Sequence, residues 1–138
     1  MQADRLTVKA QEAIAAAEAL ARARANPEVV PPHLLLVLLE QEGGIVVPVL
    51  RRAGADPERV RRRANEALES VATISGDKGA APSYSRGLIE VTRRADDEAR
   101  RMGDEYVSTE HLLLSLAAEP NVDTGASREQ IAEAVDAV

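Results

Sequence analysis

The stretch His33-Leu34-Leu35-Leu36-Val37-Leu38-Leu39 returns as His111-Leu112-Leu113-Leu114-Ser115-Leu116-Ala117, a shift of 78 positions. Self-similarity at a fixed separation marks repeated structural units and constrains the fold more tightly than composition does. Carried upstream, the same shift pairs Val29 with Val107, Arg22 with Arg100, Ala21 with Ala99, Ala17 with Ala95 and Glu12 with Glu90. The chain reads as two copies of one helical unit. Leu34 to Leu39 is apolar on every side, and a helix of that kind must be enclosed all round. Each copy is therefore expected to be built around a buried central helix.

The remaining elements follow from periodicity and from start and stop signals. A first helix is expected from about Arg5 to Arg24, with Leu6, Ala10, Ala13, Ala17, Leu20 and Ala21 as its buried face. Asn26-Pro27 ends it, and Pro31-Pro32 opens the second, where a missing N–H costs nothing. Gly43-Gly44 breaks the chain, a short third helix runs from Ile45 to Ala53, and Gly54 closes it. Asp56-Pro57-Glu58 starts a fourth helix with inner face Val60, Ala64, Ala67, Leu68 and Val71. Ser75 to Ser83 looks like a connector, giving repeat 1 over 1–75, a linker over 76–82 and repeat 2 over 83–138 within one domain. A fifth helix, about Ser85 to Met102, turns Leu88, Val91, Ala95, Ala99 and Met102 inward and leaves Asp96-Asp97-Glu98 largely outside. Ser108 caps the sixth helix, and Ser127 with Gln130 forms a capping box for the seventh. No alternating strand pattern of useful length is present. The expected class is all-α: two helical repeats about a pseudo-twofold axis, a bundle of seven to eight helices with the second and sixth near the middle.

Composition narrows the chemistry. At 138 residues without cysteine, the chain needs no staple and offers no thiolate, which suits a reducing compartment, and a cytoplasmic location is expected. The longest apolar run is far short of the ~20 residues that span a bilayer, so no membrane role is expected. Tyr84 and Tyr106 are the only aromatic residues, so the core is expected to be aliphatic and stacking platforms for single strands are missing. Residues 1–63 carry 10 basic and 8 acidic side chains, whereas residues 64–138 carry 7 and 15. The acidic second half argues against nucleic acid. His33 and His111 lack further ligands at metal spacing and read as first-turn capping residues. Gly76-Asp77-Lys78-Gly79 has the wrong spacing for a phosphate loop, and there is no nucleophile elbow. The run Arg59, Arg61, Arg62, Arg63, with Arg51 and Arg52 nearby, reads as a solvated helix face. Asp104, Glu105 and Glu110 form an acidic cluster at the start of a buried helix, a placement that suits either a binding rim or simple complementarity to the helix dipole.

Several motifs together resemble the N-terminal domain of the Clp/Hsp100 AAA+ chaperones, most closely the ClpB disaggregase branch. They are Asp4-Arg5-Leu6-Thr7, Pro32-His33-Leu34, Gln41-Glu42-Gly43-Gly44, Ala53-Gly54, and the run Gly103-Asp104-Glu105-Tyr106-Val107-Ser108-Thr109-Glu110-His111. The resemblance implies a non-catalytic, substrate-recognition domain without cofactor of its own. It would be tethered to AAA+ rings of the same chain that bind ATP and assemble as a hexamer, the isolated domain being a monomer. Its partners would be exposed apolar segments of unfolded or aggregated polypeptides, held in a groove where the repeats meet. By motif position Thr7, Asp104 and Glu110 would contact the client. The alternatives are an adaptor- or degron-binding N-domain of the ClpC or ClpA type, and a free-standing helical protein-binding module. Pro120 to Gly125 is shorter than the family's usual helix there, so the eighth helix is expected to be missing or reduced to a turn. Pro32 stands where a paired phosphoarginine site would need an acid, which argues against such a site.

Overall fold

A computed structural model describes residues 3–73 and 81–138; the expected linker over 76–82 and the Gly76–Gly79 run fall largely outside the described residues. Seven α-helices are present among them: α1 (Val8–Ala23), α2 (Pro31–Glu40), α3 (Val46–Arg52), α4 (Pro57–Glu69), α5 (Arg86–Arg101), α6 (Thr109–Ala117) and α7 (Arg128–Ala137). Local chemistry sets most of their ends. Thr7, Asp56, Ser85 and Ser127 each accept a backbone N–H of the first turn that follows. Pro31, Pro48 and Pro57 all fall in first turns. Helix α1 begins at Val8 rather than near Arg5. Its cap is Thr7, and the residue before that, Leu6, is drawn into an extended bridge with Val107.

The leucine helices are enclosed as expected. In α2 only Val37 and Glu40 of the stretch after His33 are not buried, and in α6 every residue from His111 to Leu116 is buried. Helix α2 lies against α1 and α4, α6 against α5 and α7, and α2 touches α6 at the centre. The alanine stripe Ala10, Ala13, Ala17, Ala21 and its counterparts Ala95 and Ala99 are fully buried, so small residues on the outer helices receive the leucines of the inner ones.

The copies are tied by an exchange that periodicity did not signal. Short strands β1 (Glu28–Val29) and β2 (Ser83–Tyr84) pair in parallel with Val29 opposite Tyr84, and Leu6 bridges Val107 in parallel. Tyr84 is the counterpart of Leu6 and Val107 that of Val29 under the shift of 78, so each copy lends its entering segment to the other. The hydrogen bonds repeat too: the Thr7 amide donates to the Val107 carbonyl at 3.0 Å, and the Ser85 amide to the Val29 carbonyl at 3.0 Å.

Each central helix is opened by its histidine. The Val30 amide donates to His33 Nδ1 at 2.9 Å, and the Ser108 amide donates to His111 Nδ1 at 2.9 Å. A backbone amide can only donate, so Nε2 carries the ring proton in both. From there His33 donates to Asn26 Oδ1 at 2.9 Å and His111 to Asp104 Oδ2 at 2.7 Å, again counterparts. The histidines cap and pack, as the sequence reading expects.

Three expectations are corrected. Glu98 is not outside: it is 5% exposed. Arg128 Nε and Nη2 each donate to it at 2.7 Å, and Arg101 adds a third bond at 2.7 Å. The clamp ties α5 to the first turn of α7, and the Arg128 hydrogen bond holds the Glu98 carboxyl below the usual range. Met102 is 39% exposed because Gly103, at φ 76, turns the chain away at that point. The arginine face of α4 is only partly free, since Arg61 pairs with Glu40 and Arg63 with Asp123. Between Ala117 and Arg128 turns replace the eighth helix, and Gly125 presses so closely on Ala55 and Val60 that a Cβ would sit 3.0 Å from Ala55 Cβ.

Two predictions follow from these local geometries. Ala25, at φ 58, occupies the left-handed position that Gly103 fills in the second copy, where no atom lies within 4 Å of a would-be Cβ. Ala25→Gly should therefore raise unfolding free energy by about 0.5–1 kcal/mol and Gly103→Ala lower it by about 1 kcal/mol, read by chemical denaturation. Burial, reinforced by the Arg24 charge, pushes His33 down to about 4. A depressed histidine contributes stability that is complete above its unfolded value of about 6.5 and declines as pH falls toward 4. An NMR titration should find His33 neutral at pH 5.5; titration near 6.5 would contradict this.

Candidate functional site

The three residues singled out by motif position gather along one edge without touching one another directly. Asp104 lies just beyond α5, with a side chain 45% exposed, and its carboxylate receives the His111 proton. Glu110 is half-buried in the first turn of α6, where the Ser108 hydroxyl donates to it. Asp104 and Glu110 are thus held by neighbouring residues of the same helix start. Thr7 joins them through its backbone, whose amide meets Val107. Its hydroxyl is engaged elsewhere, accepting the Ala10 amide at 3.2 Å as the cap of α1. A contact through Thr7 would therefore compete with that cap.

The first copy has no equivalent corner. Asn26 stands where the second copy has Asp104, and it is 3% exposed. Its amide donates to the Ala72 carbonyl at 3.0 Å while its oxygen accepts from His33. An amide can do both, whereas a carboxylate only accepts, and a buried aspartate would carry an unpaired charge. Pro32 replaces Glu110. The acidic edge belongs to one copy alone.

Beside it, on the other side of Leu6, a groove of about 370 Å³ opens between α1 and α5. Leu6, Gln11, Ile14, Ala15 and Glu18 form one wall; Tyr84, Ile89 and Thr92 form the other. The walls match under the shift of 78: Leu6 with Tyr84, Gln11 with Ile89, Ile14 with Thr92. The groove therefore straddles the seam between the copies. Ile89 is 52% exposed, an apolar side chain on the otherwise polar side of α5. Of these residues, motif reasoning reached only Leu6, and took it for core. The available signal was Ile89 itself, out of phase with the buried stripe Leu88, Val91, Ala95, Ala99.

Electrostatics at the groove are lopsided. The Tyr84 hydroxyl donates to the Glu18 carboxylate, and burial together with that anion pushes the phenol up to about 12, so it stays neutral. Beyond Ile89 and Thr92 a charged strip continues, in which Arg5 and Arg100 meet Asp96 and Arg93 meets Asp97. Among the described residues no three His, Cys, Asp or Glu side chains are grouped as metal ligands would be, and no helix is long and apolar enough to cross a membrane. The groove is an aliphatic cleft that carries one carboxylate, Glu18.

Comparison with known proteins agrees with this architecture. Residues 5–130 match the family model described as the Clp repeat (R) N-terminal domain. The chain is 43% identical over 115 residues to the chaperone protein ClpB of Corynebacterium diphtheriae, covering 83% of this chain and 14% of that protein. It is 42% identical over 111 residues to ClpB of Mycobacterium leprae, covering 80% and 13% respectively. It thus spans about 14% of the length of such curated relatives. Among solved structures, the Hsp104 N-terminal domain from Candida albicans superposes with a TM-score of 0.81 at 22% identity, over 96% of this chain and 90% of that one. A ClpV N-domain in complex with a VipB peptide superposes at 0.71 with 21% identity, over 93% and 82%, a likeness of fold. With two exchanged repeats, histidine-opened central helices and a family match over nearly its whole length, the chain belongs to the Clp repeat N-terminal domain family.

Proposed function

We propose that this chain is the substrate-recognition domain of a ClpB-type disaggregase, and that the groove between α1 and α5 receives exposed apolar segments of unfolded or aggregated protein. The observation that carries this reading is the partly exposed aliphatic surface of Leu6, Ile14 and Ile89 at the seam, while every leucine of α2 and α6 is enclosed. The similarity to ClpB supports it, as does the ClpV N-domain with its VipB peptide. ATP binding and hexamer formation would reside in AAA+ modules, and this domain would be non-catalytic, its role being capture.

Capture of this kind is weak by construction. Burying a few aliphatic side chains yields about 1.5–3 kcal/mol each, while ordering a flexible segment costs roughly 2–5 kcal/mol. A module that must release its client onward is served by that balance. Asp104 and Glu110 would form the acidic margin that favours clients bearing basic residues, so binding should weaken as salt rises. Thr7 would contribute its side chain at the same edge.

The test is an NMR titration with a permanently unfolded protein. Shifts should appear at Leu6, Ile14, Ile89 and Thr92, and from Asp104 to Glu110. Ile89→Glu should weaken binding at least fivefold and Glu110→Ala about twofold, with the fold intact by circular dichroism. Shifts confined to Arg59 to Arg63 would move the site to α4 and overturn the proposal.

A further inference from the structure

The groove carries one charge that the chain leaves unbalanced. Under the shift of 78, Glu18 corresponds to Asp96 and Arg5 to Ser83. At the Asp96 end a cation is built in: Arg5 lies 3.2 Å from its carboxylate, and Arg100 adds a second contact at 2.9 Å. At the Glu18 end the position of Arg5 is taken by a serine, and Arg22, the exposed counterpart of Arg100, makes no ion pair with Glu18. Among the described residues no Lys, Arg or His pairs with Glu18, whose carboxylate accepts from the Tyr84 hydroxyl. That phenol donates a hydrogen bond and orients the carboxylate but supplies no charge. The arginines of the adjoining strip cannot serve, since Arg93 is held by Glu90 and Asp97, and Arg5 and Arg100 by Asp96.

The walls next to Glu18 are aliphatic, formed by Ile14, Ala15 and Ile89. A ligand side chain that suits both features has a long hydrocarbon stem and a terminal cation, which is the chemistry of lysine and arginine. We propose that Glu18, oriented by Tyr84, is a specificity-determining residue of the groove, selecting apolar client segments that contain a lysine or arginine. The stem lies over Ile14 and Ile89, and the cation meets Glu18 where the first copy's Arg5 has no counterpart. This rests on the client-binding reading of the groove.

Two short apolar peptides, identical except that one has lysine where the other has norleucine, separate the ideas. Norleucine keeps the stem and drops the charge. On the unaltered domain at low salt the lysine peptide should bind about three- to fivefold tighter, the reach of a partly exposed ion pair. Glu18→Gln should abolish that advantage, so that the lysine and norleucine peptides bind alike. Ser83→Arg, at an exposed position, should abolish it too by restoring the cation within the chain. Equal affinities on the unaltered domain, or a lysine advantage that survives either substitution, would overturn the inference while groove binding stands. Absence of shifts at Ile14 and Ile89 with both peptides would overturn the groove reading and this inference with it.

Discussion

The structure depends on enclosing two helices that have no polar side. With no Phe or Trp in the chain, enclosure falls to aliphatic contacts, and the solution is alanine outside and leucine inside. Ala10, Ala13, Ala17 and Ala21 let α1 approach α2 closely, and Ala95 and Ala99 do the same for α5 over α6. Close packing of this kind leaves the inner leucines unavailable to any partner. What stays open is the surface the outer helices do not spend on the core: the flanks of α1 and α5 where the copies meet.

The exchanged strands explain why that seam has a fixed shape. Leu6 is held by Val107 and Tyr84 by Val29, so the two residues at opposite ends of the groove are each anchored by the other copy. Loss of one bridge would loosen both a wall of the groove and the cap of the following helix. The groove is thus a product of the duplication rather than an addition to it.

On this common frame the copies have taken different chemistry. His33 meets a buried amide, His111 an exposed carboxylate. Ala25 takes a strained turn that Gly103 makes freely. Asp96 has Arg5, whereas Glu18 has a neutral phenol. The eighth helix is replaced by turns, and Gly125 brings that segment against Val60. The carboxylates Asp104 and Glu110 lie outside the leucine core, so acidic character could accumulate there without cost to the fold.

Helix identity and most helix ends were legible because they rest on local rules: proline in first turns, hydroxyl caps, left-handed glycine at exits. The duplication and the enclosed second and sixth helices were legible in the leucine run that returns after 78 positions. The motif run ending in His111 also located the acidic edge. The start of α1 was misplaced because Leu6 answers to Val107, about a hundred positions away, and not to its neighbours. Glu98 looked solvated beside Asp96 and Asp97 until the fold brought Arg128 to it. A groove where the repeats meet was implied by the resemblance, but its lining was not legible, since Ile14 and Ile89 lie on different helices and become one surface only when the copies pack. The sequence by itself determined the helices, their burial and their repetition, which are encoded within a few turns of chain. Only the tertiary structure decided which exposed side chains share a site, because that depends on how two similar units meet across the seam.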